Sequence, residues 1–412
     1  MARDKHSTNF FTGRFISDAG IEQLDKYQYV GGAYSWLDNK MNGYWLWCAE
    51  QLPMWLAPNL VTFIGFLFVV SQYSIMIYYD YTMTQDLPRW IFLYSAISIF
   101  IYQTLDAVDG KQARRTKSSS PLGQLFDHGC DSFSLTFFFL SCAHAVKLDP
   151  YYVFFILVCL QFTLFTANWT EYHTHVLNTQ VGNFGVTESQ LIVVSIHLIT
   201  FFFGQDSWNF KLAEVLPSQV AEQLVQYGLT YVLQKPIYVF VVYFVIFCTV
   251  AATITCVISV LFGTHKDKNG KVIEKQKGKA LLQWIPILMI VIVELGFFEQ
   301  KELYKNYSAI ILLSFGLLVS LLTCKLIICS LTKMDFPTFH VEILPYYILL
   351  LIFNNYPEVM DLKNKIFGTT VVTVLTILFS FHYTSSVISQ ITHHLGIFCF
   401  SLRKREKQIK KD

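Results

Sequence analysis

The feature that most constrains this chain is a series of long apolar segments separated by short polar connections. A helix needs about 20 mostly apolar residues to cross the hydrocarbon core of a bilayer, and it satisfies its own backbone hydrogen bonds there. About ten segments meet this requirement, and 53% of the residues are hydrophobic whereas only 15% are charged. The sequence therefore predicts an all-α polytopic membrane protein. The predicted cores of the spans are 59–79, 88–110, 122–146, 150–172, 188–204, 236–262, 280–298, 308–330, 342–354 and 366–390.

The chain outside the spans falls into regions of different composition. Residues 1–57 mix Trp and Tyr with charged residues, which is typical of an amphipathic helix in the membrane interface. Packing of the same helix onto the bundle is the alternative. The remaining predicted regions are a unit at 58–205 that carries the acidic residues described below, a loop at 206–234 with a surface helix at Ala213 to Gln226, further spans at 235–395 and a basic tail at 396–412.

The cysteine content argues against a disulfide scaffold, whereas the net charge as a whole is uninformative. The nine cysteines are odd in number and lie mostly inside apolar runs, so we interpret them as packing residues and not as a disulfide framework. The formal net charge is only +2. The bilayer is the predicted surrounding, and we expect no nucleic-acid partner.

Clusters of basic residues follow the second, sixth and tenth predicted spans, and with ten spans all of them fall on one side. Because connections rich in Lys and Arg stay in the cytosol, both termini and the acidic stretch are predicted to face the cytosol. The clusters are Lys111, Arg114, Arg115 and Lys117, then Lys266, Lys268, Lys271, Lys275, Lys277 and Lys279, and finally Arg403, Lys404, Arg405, Lys407, Lys410 and Lys411.

Four aspartates lie at the ends of the second and third spans: Asp106 and Asp109, then Asp127 and Asp131. Spacings of three and four place each pair on one helix face. One Asp in the middle of a spanning helix costs about 2.5–3.5 kcal/mol, and clustered carboxylates repel one another. A divalent cation removes both problems, and oxygen ligands favour Mg²⁺, with Mn²⁺ or Ca²⁺ as alternatives. Four carboxylates are enough for two ions. Helix-end aspartates paired with Lys and Arg are the alternative interpretation.

The residues between the two pairs predict a helical hairpin. Gly110 and Gly123 lie within one turn of an aspartate and allow a ligand to approach the backbone closely. Ser120 is a predicted N-cap, and Pro121 is the predicted first residue of the second helix. The acidic faces would then point inward, with a basic turn at the water boundary.

The stretch D-x2-D-G-x2-A-R-x8-G-x3-D-x3-D resembles the signature of the CDP-alcohol phosphotransferases. Residues 109–123 and Phe126 to Ser132 resemble the eukaryotic choline/ethanolamine phosphotransferase branch of this family, and the likeness extends to Ala57–Thr62 and Trp169–Thr174. Every fixed position of the signature is present. These positions are Asp106, Asp109, Gly110, Ala113, Arg114, Gly123, Asp127 and Asp131.

The resemblance implies transfer of phosphocholine or phosphoethanolamine from CDP-choline or CDP-ethanolamine to diacylglycerol, with release of CMP. It implies that Asp106 and Asp127 bridge two Mg²⁺ ions, with Mn²⁺ as an alternative. Asp109 would complete one ion site and Asp131 the other. Arg114 is expected to contact a phosphate of the CDP group, because a guanidinium suits phosphate oxygens.

The same resemblance assigns residues to the substrate. Asn59, in Ala-Pro-Asn, is expected near the nucleotide diphosphate, and an N-cap role after Pro58 is the alternative. Gly110 and Gly123 would let the nucleotide approach. Ala113 and Gln124 complete the predicted substrate-binding set.

His128 is the candidate general base for the lipid hydroxyl, because it follows Asp127 directly and an imidazole suits neutral pH. Asp131 is the second candidate. Gln124 departs from the family, which commonly has Glu four residues before this His. A Glu there could stabilise the imidazolium, whereas Gln can hydrogen-bond but carries no charge.

Polar residues near the fourth and fifth spans leave two interpretations open. Glu171, His173, His175 and Glu188 line the CDP-alcohol or lipid pocket in one, and are interfacial helix-end residues in the other. The resemblance also implies a membrane of the endoplasmic reticulum or the Golgi, and a homodimer.

Two other functions compete with this one. A related enzyme would use CDP-diacylglycerol with inositol or glycerol phosphate, although such relatives are typically much shorter. A divalent-cation transporter would place acidic residues near the bilayer midplane and show inverted repeats. The aspartates lie at one helical edge, and the sequence shows no such repeat.

Overall fold

The computed structural model describes residues 13–26, 35–174, 185–264 and 277–403. It is 81% helical, and the described residues contain no strand, which confirms the all-α class. The helices are α1 (Asp18–Gln23), α2 (Trp36–Gln51), α3 (Pro58–Tyr79), α4 (Arg89–Arg115), α5 (Pro121–Ala145), α6 (Pro150–Thr174), α7 (Val186–Phe203), α8 (Leu212–Val215), α9 (Ser218–Gln226), α10 (Thr230–Leu233), α11 (Ile237–Phe262), α12 (Lys277–Leu282), α13 (Ile285–Glu299), α14 (Lys301–Thr332), α15 (Leu344–Asn355) and α16 (Leu362–Leu395).

Eight helical segments are long and apolar enough to cross a membrane: α3, α4, α6, α7, α11, α12 with α13, α14 and α16. The other two predicted spans also form helices. Helix α5 has 25 residues but carries the polar residues of the acidic stretch, and α15 has only 12 residues. The polytopic architecture is therefore confirmed, and these two helices differ from the rest in polarity or in length.

Helix α14 is the central element of the bundle, and 89% of its apolar stretch is buried. It packs against α5, α6, α13 and α16. Ser320 on α14 donates a hydrogen bond of 2.7 Å to the carbonyl oxygen of Ser132 on α5. Helix α14 thereby supports the back of the helix that carries Asp127 and Asp131.

Helix α2 is held by contacts at both ends. Ser35 and Asp38 form a capping box at its start. Arg115, at the end of α4, donates hydrogen bonds to the carbonyl oxygens of Ala49 and Leu52 at its other end. Arg115 therefore secures α2 against α4, a structural role that its place in a basic cluster did not predict.

The aromatic residues of α2 fall on more than one side of the helix. Trp45 is buried against Val61 of α3 and Val108 of α4, whereas Trp36 and Trp47 are exposed. The helix predicted for the N-terminal region is thus present and packs onto the bundle. Its exposed tryptophans suit a membrane interface.

The predicted surface helix from Ala213 to Gln226 is wrong as a single element, because it is divided into α8 and α9. Leu216 between them has extended backbone angles, and Pro217 follows it. A proline disfavours the helical conformation of the preceding residue and lacks an N–H for the helix ladder. The break therefore lies at the one proline of this stretch.

All nine cysteines are free, as their interpretation as packing residues requires. The basic loop from Lys266 to Lys275 and the tail from residue 404 lie outside the described residues. The predicted region boundaries at 57, 205, 234 and 395 stay predictions.

Helices α3, α4 and α5 pack against one another and position the acidic stretch. Gly65 allows the close approach of α3 and α4. A Cβ atom placed at Gly65 would lie 3.3 Å from Cδ2 of Tyr102 and 3.4 Å from its Cα. Because one of these neighbours is backbone, a larger side chain would force the helices apart.

We predict that Gly65→Leu destabilises the protein by about 1–3 kcal/mol through overpacking. Gly43→Leu is the matched control, because a Cβ at Gly43 meets nothing within 4 Å and Gly is unfavourable inside a helix by about 1 kcal/mol. The midpoint of thermal unfolding in detergent should fall for Gly65→Leu and hold or rise for Gly43→Leu. Equal midpoints would contradict the close approach.

Candidate metal centre

A helical hairpin made of α4, a short turn and α5 carries the acidic residues, as predicted. Lys117 in the turn has a left-handed backbone with φ of 55°. Ser120 is the N-cap of α5, and its hydroxyl accepts a hydrogen bond of 3.3 Å from the N–H of Gly123. Pro121 is the first helical residue. Local capping chemistry thus defines where α5 begins.

Three carboxylates converge between these helices. Asp106, Asp109 and Asp127 each offer an oxygen, and these oxygens lie within 4.8 Å of one another. Oδ1 of Asp106 and Oδ1 of Asp127 are buried, and neither has a hydrogen-bond partner in the described part of the chain. A buried polar atom without a partner is costly, and a divalent cation would supply one. The donor set is all oxygen, so these residues fit Mg²⁺.

Asp131, the fourth predicted ligand, is not part of this group of three. Its Oδ1 accepts a hydrogen bond of 2.6 Å from the hydroxyl of Tyr102, on α4. Asp131 therefore has one oxygen held by a phenol on the facing helix. Its roles as metal ligand and as second candidate base stay predictions.

Asp109 is held from the other side by α3. The hydroxyl of Thr62 donates a hydrogen bond to Oδ2 of Asp109, and both residues are buried. Such partners orient a ligand for a metal and are nearly as important as the ligand itself. Thr62 and Tyr102 were not predicted as site residues. The only local signal was the place of Thr62, one turn after Asn59 in Ala57–Thr62.

Asn59 and Gly123 meet at the start of α3 and α5. A Cβ atom placed at Gly123 would lie 3.6 Å from Oδ1 of Asn59. The alternative of an N-cap role for Asn59 is wrong, because Ala57 is the N-cap, Pro58 is the first helical residue and Asn59 is the second. The side chain of Asn59 is therefore not needed to cap the start of α3, and its Oδ1 lies on the side of α5.

Arg114 and Gly110 lie together on α4. Arg114 is exposed, and its guanidinium lies 3.7 Å from where a Cβ of Gly110 would be. Ala113 is half-buried beside it. The guanidinium of Arg114 thus lies beside Gly110, which follows Asp109 in the chain. From this exposed position it could bind an anion. The predicted substrate contacts of these residues stay predictions.

His128 follows Asp127 on α5, and Gln124 lies one turn earlier on the same helix. Both side chains are half-buried. The hydroxyl of Ser132 donates a hydrogen bond of 2.8 Å to the backbone carbonyl oxygen of His128. This bond does not involve the imidazole ring. Its role as a base stays a prediction.

His173 at the end of α6 and Glu188 at the start of α7 each have a hydrogen-bond partner within the protein. Nε2 of His173 lies 2.7 Å from Oε1 of Gln283, which also accepts from Trp169. Glu188 accepts a hydrogen bond of 2.9 Å from the N–H of Gly185 and so caps α7. These contacts favour the helix-end interpretation. Glu171 is half-buried, and His175 lies outside the described residues.

Comparison with known proteins adds independent information. The model of the CDP-alcohol phosphatidyltransferase family matches residues 55–225. The uncharacterized CDP-alcohol phosphatidyltransferase class-I family protein 2 of Dictyostelium discoideum is 33% identical over 340 residues, which cover 82% of this chain and 76% of that protein. Cholinephosphotransferase 1 of Xenopus laevis is 30% identical over 401 residues, or 95% of this chain and 92% of that protein. Cholinephosphotransferase 1 of Homo sapiens is 37% identical over 199 residues, or 48% of each chain.

We predict that Mg²⁺ stabilises this protein and that Asp127→Ala removes most of that effect. A ligand that binds only the folded state stabilises it by about 2.7 kcal/mol at 100 times its Kd. The measurement is the thermal unfolding midpoint in detergent as MgCl₂ is titrated. Asp206→Ala is the control, because its carboxylate is 88% exposed. An unchanged Mg²⁺ response in Asp127→Ala would contradict the metal centre.

Proposed function

The chain belongs to the CDP-alcohol phosphatidyltransferase family, and on that premise we propose that it transfers phosphocholine or phosphoethanolamine from the CDP ester to diacylglycerol. The products are phosphatidylcholine or phosphatidylethanolamine, and CMP. The observation that carries the proposal is the convergence of Asp106, Asp109 and Asp127 in one hairpin. Full-length similarity to a cholinephosphotransferase supports the choice of donor.

The aspartates would hold two Mg²⁺ ions, with Mn²⁺ as an alternative. Asp106 and Asp127 would be central ligands, since these residues have the unpartnered buried oxygens. Asp109 and Asp131 would complete one ion site each. The chemistry that Mg²⁺ would supply there is positive charge for the diphosphate and for the leaving CMP. Thr62 would fix the orientation of the Asp109 carboxylate, and Tyr102 that of the Asp131 carboxylate.

The reaction replaces one P–O bond with another. The hydroxyl oxygen of diacylglycerol attacks the phosphorus that bears the choline or ethanolamine group, and the bond between that phosphorus and the CMP oxygen breaks. The electron pair leaves with CMP. His128 would accept the hydroxyl proton as general base, and Asp131 is the second candidate.

Residues around the hairpin would bind the donor. Arg114 is exposed beside Gly110 and would contact a phosphate of the CDP group. Asn59 and Gly123 adjoin each other and would line the nucleotide side. Ala113 and Gln124 lie on the same two helices and complete the proposed substrate-binding set.

The site is proposed to face the cytosol. Basic residues cluster at the end of the hairpin, as the positive-inside rule requires, and water-soluble CDP-alcohols are met there. The endoplasmic reticulum or Golgi membrane is the proposed location, and a homodimer is the proposed assembly. Both come from the family resemblance alone.

A transferase assay tests the proposal. Purified protein with diacylglycerol, Mg²⁺ and labelled CDP-choline or CDP-ethanolamine should give labelled phospholipid and one CMP per lipid, and Asp127→Ala should give none. Competition between the two donors would establish the head-group preference. No product from either donor would overturn the proposal. Product from CDP-diacylglycerol with inositol or glycerol phosphate would identify a sibling enzyme, and ion flux into vesicles a transporter.

We predict that His128→Ala lowers kcat by about 10²–10⁴-fold, the usual contribution of a general base. Binding of the CDP-alcohol should survive, because the metal-binding carboxylates are intact. His394→Ala is the control, since the imidazole of His394 lies 3.1 Å from the carboxylate of Asp25 in the N-terminal segment. If kcat of His128→Ala stays near that of the wild type, Asp131 becomes the better candidate.

A further inference from the structure

The segment after α16 folds back towards the acidic hairpin. We call residues 396–403 the C-terminal strap. Gly396 ends α16 with φ of 65°, a left-handed conformation that suits glycine and reverses the chain. The N–H of Ile397 donates a hydrogen bond of 3.1 Å to the carbonyl oxygen of Thr392. The strap therefore leaves α16 through a defined cap.

Cys399 of the strap contacts the residue assigned to the nucleotide side. Nδ2 of Asn59 donates a hydrogen bond to Sγ of Cys399 at 3.6 Å. The other end of the same carboxamide, Oδ1, lies on the side of Gly123. Asn59 is only 9% exposed. Its amide is thus fixed between the strap and α5.

The thiol of Cys399 is suited to this contact. Burial raises the pKa of Cys399 to about 11. The side chain is therefore a neutral thiol at physiological pH and not a reactive thiolate.

Phe400 of the strap joins the two helices that frame the site. Its ring centroid lies 5.4 Å from that of Phe63 on α3 and 5.5 Å from that of Phe126 on α5. The rings of Phe63 and Phe126 are 6.4 Å apart. Phe63 is one turn after Asn59, and Phe126 directly precedes Asp127. One aromatic side chain of the strap therefore bridges the nucleotide side and the metal side.

The rest of the C-terminal region is anchored. Ile397 and Cys399 pack against a buried cluster that includes Leu122 and Leu125 of α5. The N-terminal segment secures α16 in turn, because the side chain of Gln390 accepts from the N–H of Phe15 at 2.8 Å and donates to the carbonyl oxygen of Ile16 at 3.0 Å. The strap thus lies on a fixed base.

We propose that Cys399 and Phe400 are positioning residues for the CDP-alcohol donor. The strap holds the Asn59 amide in place and sets the distance between the start of α3 and the start of α5. This inference rests on the proposed function, because it requires a nucleotide donor at Asn59 and Gly123. It assigns the strap to donor affinity and not to the lipid acceptor.

The experiment compares variants of the purified full-length protein in the presence of Mg²⁺. Phe400→Ala removes both ring contacts, and Phe400→Leu keeps apolar volume as the milder variant. Cys399→Ala removes the partner of Asn59, and Cys399→Ser keeps a polar one. Phe381→Ala is the control, since Phe381 on α16 is 71% exposed. The readouts are the Kd of CDP-choline without acceptor, and the KM values of both substrates.

Phe400→Ala should raise the Kd and KM of CDP-choline about five- to tenfold, or about 1–1.4 kcal/mol of binding free energy, because α3 and α5 lose the ring that bridges them beside the donor. Phe400→Leu should show a smaller rise. The KM of diacylglycerol should stay constant. Cys399→Ala should also weaken donor binding, and Cys399→Ser should restore it. Phe381→Ala should match the wild type.

Three results would overturn the inference. One is an unchanged Kd of CDP-choline in both Phe400 variants and in Cys399→Ala. Another is tighter donor binding, which would mean that the strap covers the site and inhibits it. The third is an equal rise in both KM values with no rescue by Cys399→Ser, which indicates only a structural role. An inactive wild type would instead refute the proposed function.

Discussion

Carboxylate oxygens buried between apolar helices need a positive partner, and this need governs the organisation of the hairpin. Asp106, Asp109 and Asp127 lie close enough to repel one another. Thr62 and Tyr102 each donate to one carboxylate of the stretch. Hydroxyl donors orient these groups but bring no charge. A cation would therefore be bound most favourably by the unpartnered Oδ1 atoms of Asp106 and Asp127.

The packing of the bundle explains how four acidic residues can stay in this arrangement. Gly65 lets α4 approach α3 closely, so Tyr102 reaches Asp131 from a fixed backbone. Helix α14 supports α5 from behind through Ser320. The polar stretch is thus enclosed by helices whose other faces are strongly apolar. Stability of the bundle and geometry of the site depend on the same contacts.

Features determined within one or two helical turns could be predicted from the sequence. The hairpin, the Ser120 cap, Pro121 as first helical residue and the shared face of the aspartates all follow from local spacing. The prediction of a continuous helix at Ala213 to Gln226 is wrong because Pro217 interrupts the helix. The suggested N-cap role of Asn59 failed for a similar reason, since Pro58 itself occupies the first helical position.

Contacts between residues far apart in the chain could not be predicted in this way. Thr62 and Asp109 are 47 residues apart, and Asn59 and Cys399 are 340 apart. Periodicity places a residue on a helix face but does not say which helix that face meets. A lone Cys-Phe pair beyond the last span also has no local signature. The strap is visible only once the fold brings the segment after α16 to the hairpin.

The position of the site within the fold is consistent with the proposed reaction for a physical reason. A diphosphate carries charge that the hydrocarbon core excludes, whereas diacylglycerol cannot leave the bilayer. Both reactants can meet only where spanning helices end. The acidic residues occupy the last turns of α4 and the first turns of α5, and Arg114 is exposed beside them. A pathway for ions would instead place its carboxylates along the middle of the bundle, so the location of the aspartates favours group transfer over transport.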